Sequence, residues 1–361
     1  METVRLGLFG LTHPHARAHL KTLQCTPLVA EIVLYDEDAA VVSSTRAELG
    51  DKVVAAYSDL DQALAEGRID GAVACFRNDL NGRLCTRLLE AGLHVLSEKP
   101  IAPSAAEMEP LVELAAARGL KLGVMYQNRF HPASVDARRM VCDGVIGRPT
   151  SCEARMITSQ VRFRDPGHWL FDAALSGGGI LSWLGCHYID LLCVLMGDEV
   201  AEVSAIVDTL SGEDIDVEDV GSVSLRFRSG AIGSLQVGYQ LVFSKEGYMG
   251  PNYDAYMAVR GTAGRIWWNP VERPPVLHAE SVSEAWSAAP ARSQEYNLPQ
   301  VDAYGGAYGV AYVERFVRST YGDGEPPATG ADALHVARVV EAAYESSRTG
   351  RRIRLLPRTG T

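Results

Sequence analysis

Short apolar runs and helical periods alternate along the first third of the chain. Val4 to Gly10 is an apolar run closed by glycine, which predicts a buried strand. Pro14, with Thr12 or His13 before it, marks a helix start, and helix is expected to about Leu23. Further apolar runs predict strands at 32–35, 71–76, 94–97 and 120–125, with a helix over 104–118. Strands alternating with helices predict parallel crossovers and a doubly wound sheet. Ligands bind such sheets beyond the carboxyl ends of the strands. The informative stretches are therefore Gly10 to His15, Asp36, Phe76 to Asn81, and Glu98 to Pro100.

After about residue 126 the pattern changes. Helices are expected over 133–144, 168–196, 307–320 and 331–348. Strands are expected at 150–157, 201–208, 220–227 and 231–241, the last two joined by a turn at Arg228-Ser229-Gly230. Neighbouring strands of this kind predict a mostly antiparallel sheet with helices on one face. Residues 269–300, rich in Pro, Ser and Ala, read as an irregular excursion. The expected division is a first domain over 1–125 and a second over 126–361, whose final helix could pack back on the first.

Composition narrows the function. A length of 361 residues suits two domains. With 47% hydrophobic and 22% charged residues, the chain reads as globular. Acidic residues outnumber basic ones, 45 to 34, and a net charge of −11 disfavours nucleic acid or an anionic membrane as partner. No run of 18 apolar residues occurs, so no membrane span is expected. Met1-Glu2-Thr3 has no basic region, so no leader is expected. The seven cysteines are scattered without a C-x-x-C pair, which favours a reducing cytoplasm over a disulfide framework.

A dinucleotide site would place G-x-G-x-x-G after the first strand. The chain has Gly10-Leu11-Thr12-His13-Pro14-His15, which keeps only the first glycine. The helix start still offers N–H groups to an anion, and His13 or His15 could add a donor to phosphate. Asp36, 26 residues after Gly10, stands where a carboxylate accepts the ribose hydroxyls of NAD and repels the 2′-phosphate of NADP. An aspartate there also starts turns. His15 and His19 are four residues apart on the expected helix, but no third metal ligand is evident, so no metal is expected.

Ser97-Glu98-Lys99-Pro100, following a strand at the carboxyl edge, resembles the signature of the Gfo/Idh/MocA oxidoreductase family. Asn78 in the loop after the third principal strand, Gln127-Asn128-Arg129-Phe130, and Gly177-Gly178-Gly179 with Gly185-x-His187-x-x-Asp190 extend the resemblance. So does the closing Ala343-Tyr344-Glu345-Ser346. The resemblance implies an N-terminal Rossmann domain and a C-terminal α/β domain with an open, mostly antiparallel sheet. It also implies NAD as cofactor, with NADP possible, a sugar or polyol substrate, and association through the open sheet as a homodimer or homotetramer. Gly10, Thr12, His13, His15, Asp36, Asn78, Glu98, Lys99 and Arg129 are then the expected cofactor-binding residues.

Hydride transfer from an alcohol needs a group to take the hydroxyl proton. Lys99 matches the family's lysine in that role, and lysine is scarce here: Lys21, Lys52, Lys99, Lys121 and Lys245 are all there are. His187 is the second candidate, since its imidazole exchanges protons near neutrality. On a helix, Trp183, His187 and Asp190 share one face. Asp190, Trp169 and Asp172 join Trp183 and His187 as expected substrate contacts. Trp183 departs from the family pattern, which commonly has Asp four residues before the histidine; an indole N–H only donates. It could stack on a sugar ring, or mark a chain that has lost ordinary dehydrogenase activity. The alternatives are an NAD-dependent lyase or glycosidase using transient oxidation, and a non-catalytic regulator that binds nucleotide and sugar.

Overall fold

The computed structural model describes residues 3–48, 52–242 and 253–357. Lys245 and the first two residues lie outside these. The chain divides into two compact units: Met1–Phe130 with Pro299–Leu334, and His131–Leu298 with His335–Thr361. The stretch 299–334 thus belongs with the first unit, although its sequence position suggested the second.

In the first unit, strands β1 (Val4–Phe9), β2 (Val29–Tyr35), β3 (Val53–Tyr57), β4 (Gly71–Ala74), β5 (His94–Ser97) and β6 (Leu122–Val124) form one parallel sheet. Their order is 3-2-1-4-5-6, the doubly wound Rossmann arrangement. Helices α1 (Ala16–Cys25), α2 (Ala39–Ala47), α3 (Leu60–Glu66), α4 (Asn78–Glu90) and α5 (Ala105–Ala117) connect the strands. All four residues of β4 are buried, as a central parallel strand requires. Asp38, Asp59 and Ser104 cap their helices by accepting first-turn N–H groups. Strand β3 escapes the sequence reading because it is a half-exposed edge strand with little alternation.

The returning stretch closes the far edge of this sheet. Thr329 bridges to Gly123, and the Val124 N–H donates to the Ala328 carbonyl at 3.1 Å. The helix Ala307–Thr320 buries Tyr312 and Phe316 completely. The Tyr312 hydroxyl donates to the Val124 carbonyl at 2.6 Å and accepts from the Tyr126 N–H at 3.2 Å.

The second unit is built on a nine-stranded sheet ordered 14-13-12-11-7-10-9-8-15. Its strands are β7 (Pro149–Ser159), β8 (Val200–Asp208), β9 (Val220–Phe227), β10 (Ile232–Leu241), β11 (Asp254–Gly261), β12 (Gly264–Trp268), β13 (Val276–Ser281), β14 (Ala291–Glu295) and β15 (Ile353–Arg354). Only β7 and β10 pair in parallel. Helices α6 (Pro132–Cys142) and α8 (Cys186–Met196) pack on one face, opposite Val223, Leu225, Leu235 and Val237. The other face alternates outward, exposing Ser222, Ser224, Arg226, Ile232 and Gln236. The excursion expected at 269–300 contains β13 and β14; β14 (ARSQE) is exposed throughout at the sheet edge, so no apolar period marks it.

The helix expected over 168–196 is interrupted. Short turns cover Trp169–Phe171 and Ala173–Ser176 (α7), Gly177 and Gly178 have φ of +79° and +142°, and a π-turn covers Leu181–Gly185 before α8. The stretch 173–196 is apolar and long enough to cross a membrane by length and composition, yet 83% of its apolar window is buried in the fold. It is a core element of the second unit.

Replacing Tyr312 by Phe removes one hydrogen-bond donor from the buried Val124 carbonyl. The first unit should lose about 1–2 kcal/mol, with NADH affinity little changed. Denaturant unfolding of wild type and variant would measure the loss; identical midpoints would refute the tether.

Candidate active site

The strand order reverses between β1 and β4, so their carboxyl ends open the crevice where doubly wound sheets bind ligands. Gly10 follows β1 with φ +102°, and a Cβ there would overlap the Cys75 carbonyl. Only glycine allows that approach. Thr12 lies exposed on the turn. The Asp36 carboxylate, 1% exposed, sits under the turn. One oxygen accepts the Leu11 and Thr12 N–H groups at 2.7 and 3.3 Å, and the other accepts the Asp38 N–H at 3.0 Å. Asp36 therefore braces the glycine turn, with about three of its four lone-pair sites filled. The turn-starting reading of Asp36 is realised in these bonds. Asn78 is buried in the first turn of α4. Asn81 accepts the Phe76 N–H and donates to the Ser97 hydroxyl and the Ile101 carbonyl, tying the loops after β4 and β5 together.

Glu98 is the centre of a buried network. One carboxylate oxygen lies 2.9 Å from His15 Nδ1 and 2.8 Å from His19 Nε2. The other accepts the Lys99 N–H at 2.8 Å. For both rings to donate, His15 carries its proton on Nδ1 and His19 on Nε2. The His15 backbone N–H donates to His13 Nδ1 at 3.1 Å. Tyr304, on the returning stretch, lays its ring 4.8 Å from that of His15 and 5.1 Å from that of His19. Burial alone would push the Glu98 carboxyl up; His15, the hydrogen bonds from both histidines, and Lys99 outweigh it and hold Glu98 well below the usual range. Burial lowers the His15 and His13 imidazoles, against the pull of Glu98. His15 thus occupies the third glycine position by turning its ring inward to a carboxylate. The four-residue spacing that raised the metal question places both rings on one carboxylate oxygen.

Lys99 is fully buried, an unusual place for a lysine. Its peptide bond to Pro100 is cis. Arg129 has a fixed partner set on the returning stretch: its Nη1 donates to the Pro327 carbonyl at 2.8 Å and lies 3.2 Å from Asp332. The guanidinium expected at the cofactor is engaged in holding residues 327–332.

In the second unit, the glycine run is shaped by what approaches it. A Cβ on Gly179 would overlap the Glu218 carbonyl, and one on Gly178 the Tyr344 hydroxyl. Trp183 is 2% exposed, with the Trp169 ring edge-on at 6.1 Å and 89°. His187 and Asp190 are buried on α8 three residues apart and share a face. Trp183 lies in the π-turn, so its angular relation to His187 is not the α-helical one expected from spacing. Asp172 caps α7, accepting the Ala174 and Leu175 N–H groups at 2.9 and 3.3 Å. Both bonds use the same carboxylate oxygen. Tyr304 and Glu218 are residues that the sequence reading did not single out; Tyr344 entered it only as part of the closing stretch of the resemblance.

Known proteins match this architecture. Residues 4–126 match the model of the oxidoreductase family with an NAD-binding Rossmann fold, and residues 135–267 match the Gfo/Idh/MocA C-terminal domain. The chain is 26% identical over 360 residues to myo-inositol 2-dehydrogenase of Thermotoga maritima, covering 98% of each. It is 26% identical over 350 residues to dTDP-3,4-didehydro-2,6-dideoxy-alpha-D-glucose 3-reductase of Actinomadura kijaniata, covering 96% of each. Levoglucosan dehydrogenase, solved with NADH and levoglucosan, superposes with a TM-score of 0.86 at 21% identity, over 98% of this chain and 99% of that one. The two matched models run in order along most of the chain, which belongs to the Gfo/Idh/MocA family of oxidoreductases.

Proposed function

We propose that the protein transfers hydride between NAD and a hydroxyl or keto group of a sugar, cyclitol or related polyol, with Lys99 and His187 handling the proton. The observation that carries this reading is Lys99: a buried lysine just past β5, its backbone held by a buried, doubly hydrogen-bonded carboxylate. The relatives' names point to the same substrate class.

The residues of the first unit fit a dinucleotide. Gly10 lets the turn close against the Cys75 carbonyl, Thr12 is exposed on that turn, and Asp36 fixes it and keeps one lone-pair site for a ribose hydroxyl. His13, Asn78 and Glu98 complete that side as a buried polar lining. When bound, NAD supplies the hydride acceptor or donor. In oxidation the substrate hydroxyl proton passes to Lys99 Nζ or to the His187 imidazole, and in reduction it returns. Trp183, backed by Trp169, offers an apolar surface for a ring face, and Asp190 accepts a substrate hydroxyl. NADP binds less tightly because the Asp36 carboxylate repels a 2′-phosphate. The open face of the nine-stranded sheet joins copies of the chain as a homodimer or homotetramer.

Titration with NADH and NADPH, read by nicotinamide fluorescence, should show saturable NADH binding that weakens in Asp36→Ala. On a panel holding myo-inositol, levoglucosan and aldoses, Lys99→Met should lower kcat by roughly 10²–10⁴-fold while NADH affinity changes little. Neither nucleotide binding below millimolar concentration would end the dehydrogenase reading. Product formation without accumulating NADH would favour the transient-oxidation alternative.

The Glu98 network also predicts a pH dependence. His13, His15 and Glu98 all hold their protons less tightly folded than unfolded, so stability is lost as pH falls. The histidine contribution is present above about 6.5 and declines below it; the Glu98 contribution declines as pH falls further, beneath about 4.5. Glu98→Gln should be about 3 kcal/mol less stable at pH 7 and flatter with pH in the acid range. Thermal unfolding of both proteins from pH 8 to pH 4 tests this, and parallel curves would refute it.

A further inference from the structure

The segment that carries Trp183 and His187 begins at three glycines and a π-turn, neither of which holds its own start rigidly. What holds it is Glu218, from the loop before β9. Its two carboxylate oxygens reach three donors. One accepts the Gly179 N–H at 2.7 Å; the other accepts the Leu181 N–H at 2.8 Å and the Tyr344 hydroxyl at 3.0 Å. The Glu218 backbone carbonyl takes the Ile180 N–H at 3.1 Å. Three consecutive amides of the segment, 179 to 181, are therefore fixed to a single residue. The close approaches to Gly178 and Gly179 leave no room for a side chain at either position. Glu218 itself is 8% exposed.

We propose that Glu218, closed by Tyr344 from the last helix, is a positioning residue that sets the place of Trp183, His187 and Asp190. This rests on the reading of those residues as substrate-facing, and it assigns the glycine run to the clasp. The chemistry asks for an ionised carboxylate. All three groups on it donate, so a proton on either oxygen needs an acceptor and displaces one of them. The other ionisable groups around the clasp are Tyr344, Cys186 beside Tyr344, and Asp219. The last is turned the other way and accepts the Leu210 and Ser211 N–H groups. Burial pushes the Glu218 carboxyl up against its backbone bonds, and the Tyr344 hydroxyl well up. Acidification thus loosens the clasp at a higher pH than it affects a surface carboxylate.

The test uses the full chain with Glu218→Gln and, as the milder change, Tyr344→Phe. A glutamine can keep Leu181 and Tyr344 on its oxygen but turns an amide N–H₂ toward the Gly179 N–H. Hydrogen exchange of peptides spanning 179–190 should quicken about 10-fold in Glu218→Gln and less in Tyr344→Phe, while exchange of β1 and β4 stays as in the wild type. Trp183 emission, taken as the difference between the wild type and Trp183→Phe, should shift with pH at a midpoint above the ordinary carboxylate range, and this shift should vanish in Glu218→Gln. On an accepted substrate, KM should rise about 10-fold with NADH affinity unchanged. Unchanged exchange in both variants, or a Trp183 transition that survives in Glu218→Gln, overturns the proposal. So does faster exchange with unchanged KM, which would leave Glu218 structural only. If the wild type turns over nothing, the dehydrogenase reading fails alone, and exchange and emission still decide the clasp.

Discussion

A carboxylate taken out of water costs several kcal/mol unless its lone pairs are filled, and the first unit is arranged around filling those of Glu98. The N-cap of α1 supplies His15 and its first turn His19, the returning stretch supplies the Tyr304 ring that covers both, and the chain just past β5 supplies the Lys99 N–H. Each contact constrains a different piece of backbone. Two histidines on one oxygen fix the rotation of α1 about its axis, and hence the direction in which the Gly10 turn enters it. The amide bond on the other oxygen fixes where Lys99 begins. The glycine turn and Lys99 are thereby held in one frame by one carboxylate.

This arrangement explains why the fingerprint looked damaged. The third glycine of such a motif allows tight packing of helix on strand. His15 fills that position with a buried ring, and the packing is satisfied by a hydrogen bond where other chains leave out a side chain. The first glycine has no substitute, because the Cys75 carbonyl occupies the space where a Cβ would go. The motif was thus legible where sterics demand one residue type and obscure where chemistry offers a second solution.

The same distinction runs through the rest of the chain. Strands buried on both faces, such as β1 and β4, announce themselves as apolar runs, and the alternation with helices gave the doubly wound sheet. Exposed edge strands do not: β3 is half-exposed and β14 is exposed throughout with four polar residues in five, so neither shows a period. The stretch 168–196 reads as one helix because its composition is apolar throughout, while its interruption depends on Glu218, 39 residues beyond Gly179. Lys99 and His187 stand out by residue type and neighbours. Arg129 and Asp172 stand out equally in sequence, and the structure adds their protein partners, Pro327 and Asp332 for the one and the α7 amides for the other. Tyr304 is 289 residues from His15, a distance no local pattern can bridge.

Trp183 then acquires a definite meaning. Where the resemblance leads one to expect a carboxylate, an indole cannot take a proton, since its N–H only donates. Proton transfer under the proposed reaction therefore falls to Lys99 and His187. The residue is not loose surface bulk: it is 2% exposed, backed by the edge of Trp169, and its backbone N–H donates to the Gly179 carbonyl at 2.8 Å at the head of the π-turn. A π-turn widens the helix locally and makes room for a large apolar ring, whose surface is covered by the protein here. Exchange of a carboxylate for that surface removes one hydrogen-bond acceptor and adds stacking area. Under the proposed reaction, the substrate best served is one with a ring face or a deoxygenated carbon near that point, where a hydroxyl would be left without its partner.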